Sequence, residues 1–196
     1  MRQAFVMKGA AAAVVIGSLA LAGCTTTPLN EPQSAAASAS KRQTINLSVD
    51  ATLSRLYTTV PSSRELVAKS CGVLVFPSVL QAGFIVGAQS GNGALRVGGS
   101  TVGYYNTSSL SFGLQAGAQS KAVIFLFMTQ DALDKFRSTD GWSVGTDASV
   151  AVVKIGANGA VDSNTVQLPI EAIVLTNAGL MGDLSVNGTK ITRINP

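Results

Sequence analysis

From Val49 onward the apolar positions keep first one period and then another. Val49, Leu53, Leu56, Tyr57 and Val60 recur at helical spacing, with Ser48 placed to cap and Asp50 in the first turn. Pro61 ends this helix, and Ser62 or Ser63 opens a second through Leu66, Val67 and Lys69. Both are amphipathic, so their apolar stripes are expected to cover a sheet. After Lys69 the period becomes two. Gly72-Val-Leu-Val-Phe76 reads as a buried strand stopped by Pro77. Gly91-Asn92-Gly93 reads as a tight turn, and residues 94–98 return as a strand loosened at Gly98-Gly99. Leu110, Phe112, Leu114, Ala116 and Ala118 share one face of the next strand, with Ser109, Ser111 and Gln115 on the other. Residues 122–128 are apolar on both faces, as a central strand requires.

Thr129 is placed to cap a short helix over 130–137, with Asp131 early and Lys135 and Arg137 late, as the helix dipole prefers. Trp142, Val144, Ala148, Val150 and Val152 share a face of one further strand, and Asn158-Gly159 marks a hairpin turn. Residues 168–175 form another apolar strand, turned by Asn177-Ala-Gly179. Residues 180–186 and 189–194 read as a hairpin about Asn187-Gly188.

Two stretches end in the same four residues, Gly87-Ala-Gln-Ser90 within 83–90 and Gly117-Ala-Gln-Ser120 within 113–120. Glycines four apart on a strand fall on one face and leave it without Cβ atoms at two levels. The pattern suggests two similar units facing one another around sharply coiled strands. The expected fold is α+β: a coiled antiparallel sheet or barrel of about seven to nine strands, two N-terminal helices and one short inserted helix.

The first 23 residues alter the picture of where this domain works. Arg2 and Lys8 precede an apolar run from Gly9 to Ala20, shorter than the roughly 20 residues a membrane span needs. The run closes on Leu21-Ala22-Gly23-Cys24, which resembles the bacterial lipoprotein signal. That resemblance implies cleavage before Cys24 and acylation of its thiol and new N-terminus, and several chains together anchor a protein stably. Thr25 after the cysteine, by resemblance to enteric sorting rules, directs the protein to the outer membrane, facing the periplasm or the exterior. Residues 24–44, rich in Thr, Pro, Ser and Ala, read as the lipidated cysteine and a flexible tether. The folded domain is expected over 45–196.

Of 14 basic residues, removal of Arg2 and Lys8 leaves 12 against 10 acidic ones, a net charge of +2 instead of +4. No polybasic patch of the nucleic-acid-binding kind remains. There is no histidine, which removes the usual general base and the commonest metal ligand. With Cys24 acylated, Cys71 is the one remaining thiol, and its setting beside Gly72-Val-Leu-Val-Phe76 reads as a small apolar side chain. Phosphate-loop and calcium-loop motifs are missing. No catalytic residue, metal or cofactor is expected. An enzyme would need a cleft with converging polar groups, around Asp147, Asp162 or Glu171.

Gly72 to Pro77, Ala82-Gly83-Phe84, Gly91-Asn-Gly93, Phe112 to Gln119 and the strand at 123–128 stand in the order of the SYLF domain, which this chain resembles from about Leu47 to Ile194. Residues 173–186 are similar to that family's closing segment. The resemblance implies binding to membrane lipid, an anionic phospholipid or a phosphoinositide-like one. Eukaryotic members place a basic amphipathic helix ahead of the domain, where Lys41-Arg42 is the one charge cluster of the stretch here. Arg55, Arg64 and Lys69 on the helices, with Arg96 and Lys121 near the glycine-rich strands, are the candidate headgroup contacts. The alternative expectation is a structural or protein-interaction lipoprotein with an envelope or host protein partner.

Overall fold

The computed structural model describes residues 35–83, 86–112, 117–153, 168–176, 179, 180, 186 and 188–196. Helix α1 (Ala35–Thr59) precedes α2 (Ser63–Lys69), with Pro61 in the turn between them. Val49, Leu56 and Val60 are fully buried, as their spacing predicts. The helix begins earlier than expected, because residues 35–44 belong to it. That stretch lacks large apolar side chains and is mostly exposed. It is nevertheless rich in alanine, the best helix former, and extending an existing helix is far easier than nucleating one.

One sheet holds the nine strands found among the described residues. They are β1 (Gly72–Gly83), β2 (Val86–Val97), β3 (Ser100–Phe112), β4 (Gly117–Phe127), β5 (Trp142–Ser143), β6 (Ala151–Val152), β7 (Ile170–Thr176), β8 (Gly179–Leu180) and β9 (Lys190–Ile194). Helix α3 (Gln130–Ser138) lies between β4 and β5 in sequence. The order across the sheet is β5-β9-β3-β2-β1-β4-β7-β6, with β8 also on β7. All pairings are antiparallel except that of β6 with β7. The sheet curls into a half-barrel, so the α+β fold with a coiled sheet is what forms.

Alternation along the strands builds a core on each face. Leu74, Phe76, Phe125, Phe127 and Val174 pack with Leu133, Phe136 and Trp142 on one side. Val75, Ile124, Leu126, Ile173 and Leu175 pack with Val49, Leu56, Val60 and Leu66 on the other. Residues 122–127 of β4 are therefore buried throughout, which is why that run reads as apolar on both faces. Each large side chain so buried contributes about 1.5–3 kcal/mol. Helix α3 starts as expected, with the Thr129 hydroxyl accepting from the Ala132 N–H at 3.3 Å.

Several strand limits differ from the sequence reading. Pro77 does not stop β1; a bulge between Phe76 and Val79 absorbs it, where its missing N–H costs little. Gly91-Asn92-Gly93 is not a turn but lies inside β2, opposite Thr107, Asn106 and Tyr105. A Cβ on Gly91 would fall 2.5 Å from the Ser78 carbonyl oxygen, and one on Gly93 closer still to that of Val75. The turn is instead Gly98-Gly99, with φ of +56° and +82°. Gly83 pairs with Gly87 across a hairpin, so residues 83–90 are not one strand. Nor is 110–118, since β3 ends at Phe112 and β4 starts at Gly117 on the far side of β2 and β1.

The strand expected over 142–152 is broken. Val144 bridges to Ala148 around a turn containing Gly145 (φ +90°), and the Asp147 carboxylate accepts from the Ser143 N–H at 2.6 Å. Strand β9 pairs with β3 and β5, and the other arm of the hairpin expected about Asn187-Gly188 falls largely outside the described residues. The turn expected at Asn158-Gly159, the leader at 1–23 and residues 181–185 lie outside the described residues. Among the described residues no helix is long and apolar enough to cross a membrane.

Candidate functional site

The five cations singled out from the sequence are not brought to one place. Arg96 alternates with Ala94 toward α1, where its guanidinium donates to Asp50 at 2.7 Å and to the Gly99 carbonyl at 3.1 Å. Only 18% of its side chain is exposed. It is a structural tie between helix and sheet. Lys69 is held by Glu65, one helical turn earlier, at 2.7 Å, and that bond lowers the Glu65 pKa. Arg64 lies 4.6 Å above the Tyr57 ring. Arg55 is exposed on α1 without a hydrogen-bond or ion-pair partner among the described residues.

Lys121 sits on the other face. It alternates with Val123, Phe125 and Phe127, whose core packs against α3. Its backbone pairs with Val79, burial pushes its ammonium below the ordinary value, and no described residue supplies a counter-charge. The helix layer alone gathers cations: residues 35–70 carry Lys41, Arg42, Arg55, Arg64 and Lys69 against Asp50 and Glu65, both of which are already paired.

Two clefts on the described surface bear on these residues. One, of about 610 Å³, lies beside α3 and is lined by Lys135, Trp142, Asp147 and Ile170. Asp147 spends a carboxylate oxygen on Ser143, and its carbonyl accepts from Lys135 at 2.9 Å. Glu171 does not reach this cleft. It alternates with Ile170 and Ala172 and so faces the α1 side, fully buried, with both carboxylate oxygens unpartnered among the described residues and its pKa raised by desolvation. Asp162 lies outside the described residues. The converging acids that an enzyme would need are not assembled by Asp147 and Glu171.

The second cleft, of about 550 Å³, lies where α1 meets the β3 and β9 ends, with Arg42, Thr101, Tyr104, Arg193 and Asn195 in its lining. Arg193 drew no attention in the sequence, because a lone cation on a short strand carries no local signal. Arg42 was visible, as part of Lys41-Arg42, but was placed in the tether.

Residues 108–195 match the Ysc84 family model, described as "Las17-binding protein actin regulator". That match supports a SYLF-type domain in this part of the chain. No curated protein gives a significant match. The matched segment runs from within β3 to β9 and leaves β1 and β2 outside it. Yet β1 lies between β2 and β4, and β2 between β1 and β3. The sheet is therefore continuous through strands on both sides of the boundary of the match.

Proposed function

We propose that this chain is a non-catalytic lipoprotein of the bacterial outer membrane, anchored through acylated Cys24, whose SYLF domain binds an anionic membrane surface. The family is associated with binding lipids or partner proteins. The observation that carries the lipid reading is the charge of the helix layer. Arg55 and Lys41 project from α1 with no carboxylate partner among the described residues, and Arg64 from α2 has only an aromatic ring beneath it. Near an anionic surface each such cation contributes about 1 kcal/mol.

A Cys24→Ser chain, which cannot be acylated at that position, tests this by co-sedimentation with anionic and neutral vesicles at two salt concentrations. Binding to anionic vesicles that weakens with salt supports the proposal. Failure to bind either kind of vesicle sinks it.

A second reading rests on Leu80 and Leu110, 61% and 70% exposed. Leu80 pairs through Ser90 with Ser108, two residues from Leu110, so both lie on one face. Equal, salt-independent binding to neutral and anionic vesicles would point to that apolar face instead, and capture of an envelope or host protein would point to a partner.

A further inference from the structure

We propose that the cleft beside α3 is a binding site for an organic cation, a ligand with an apolar body and a protonated amine or guanidinium at one end. The cleft encloses about 610 Å³, the size of a small-molecule site. Its floor is apolar and firmly held. Trp142 and Ile170 lie there, almost fully buried, and Trp142 stands edge-on to Phe125 and Phe136 with ring centroids 6.3 and 5.4 Å away. Ala132 of α3 and Leu168-Pro169 form the walls, and Leu168 keeps 38% of its surface open to solvent. Such a lining favours an apolar body, which takes up surface that water now covers.

The polar lining fixes the sign of the charge. Asp131 and Asp147 stand there against Lys135. Lys135 is already engaged, because its ammonium donates to the Asp147 carbonyl at 2.9 Å. Asp131 lies one helical turn before Lys135, yet it makes no hydrogen bond or ion pair among the described residues. Asp147 accepts from the Ser143 N–H through Oδ2 at 2.6 Å, which fixes its carboxylate and leaves Oδ1 without a partner among the described residues. The lining is thus net negative on a chain whose formal charge is +4. Two carboxylates with open acceptor positions beside an apolar floor lack a donor. An alkylammonium or guanidinium supplies one through charge-assisted hydrogen bonds. The cleft lies on the sheet face that packs α3, opposite the helix layer whose cations carry the membrane-surface reading, so neither depends on the other.

The test uses the Cys24→Ser chain, so that no detergent competes for the apolar floor. Three ligands of similar shape differ in charge: 2-phenylethylamine, 2-phenylethanol and phenylacetate. Trp142 is the one tryptophan of the chain, so its emission reports on the cleft, and the amide shifts of Ala132 and Ile170 check it by NMR. Saturable binding of the amine about tenfold tighter than of the alcohol, with phenylacetate weaker still, is expected. In Asp131→Asn/Asp147→Asn the amine should fall to the level of the alcohol, while the amide oxygen at 147 can still accept from Ser143. Should that double variant melt early, Asp131→Asn alone serves, since Asp131 is exposed. Tighter binding of acetyl-Phe-Arg-amide than of 2-phenylethylamine keeps the site and assigns its source to a peptide segment, and the reverse assigns it to a free amine. Equal affinity for the three ligands, preference for phenylacetate, an unchanged amine affinity in the variant, or no saturable change with any ligand overturns the proposal.

Discussion

Gln89 on β2 and Gln119 on β4 occupy the same rung of the sheet on opposite sides of Gln81. The rungs on either side repeat the arrangement: Gly87 and Gly117 flank Gly83, while Ser90 and Ser120 flank Leu80. The shared Gly-Ala-Gln-Ser ending thus marks two strands that clasp one central strand in identical register. A one-residue slip on either side would turn every side chain to the wrong face. The bulge at 76–79 lies just beside this block, and it presses β1 against Gly91 and Gly93 of β2.

Gly93→Ala is therefore expected to cost at least about 1–3 kcal/mol, because the added Cβ meets a backbone carbonyl that no rotamer change can move. Gly99→Ala meets nothing in space and strains only the positive φ, which costs roughly 1–2 kcal/mol at most. Denaturant melts of the two variants check the ranking. Equal losses would mean that the bulge can yield.

What could be read in the chain and what could not divides along the range of the interaction. The central strand at 122–127 and the Thr129 cap were legible because each is determined by residues within a few positions. Gly91 and Gly93 were misread because a glycine that frees a turn and one that admits a neighbouring backbone look alike in sequence. Arg96 looked available for a headgroup because its partner Asp50 is 46 residues away. Arg42 and Arg193 both line one cleft only because β9 returns to pair with β3. No local pattern announces that return.

Glu171 makes stability depend on pH in an unusual direction for a carboxylate. Burial without partners raises its pKa above the ordinary 4.5, so the folded chain holds the proton more tightly than the unfolded chain. Stability is full below that ordinary value, falls as pH rises through the interval up to the raised pKa, and is level above it. Glu171→Met removes both unpartnered oxygens at similar volume. It is expected to raise stability at pH 7 by about 1–3 kcal/mol and to flatten the fall that begins as pH rises past the ordinary 4.5. Thermal melts from acid to neutral pH decide it, and an unchanged slope in the variant would show that another group carries the effect.

Acylation at Cys24 is tested independently of the domain. Cells fed an alkyne-tagged fatty acid are expected to label the wild-type chain and not Cys24→Ser, and fractionation should move the variant out of the outer membrane. Label retained in the variant would place the lipid elsewhere or remove it from the account.

Lys121 and the helix cations separate a structural charge from a binding one. Lys121 lies on the face opposite α1, half-buried, with no described counter-charge and a pKa below its ordinary 10.5. The unfolded chain then binds that proton more tightly, so the penalty is full below the folded pKa, fades as pH rises from there toward the ordinary value and is gone above it. Lys121→Met keeps the stem and removes the charge. At pH 7 it is expected to raise the melting temperature by about 2–4 °C and leave vesicle sedimentation unchanged. Arg55→Gln/Arg64→Gln should do the reverse, altering stability little and weakening binding to anionic vesicles by about 2 kcal/mol, roughly thirtyfold. If instead Lys121→Met abolishes sedimentation and the arginine variant binds normally, the membrane meets the face that packs α3 rather than the helix layer.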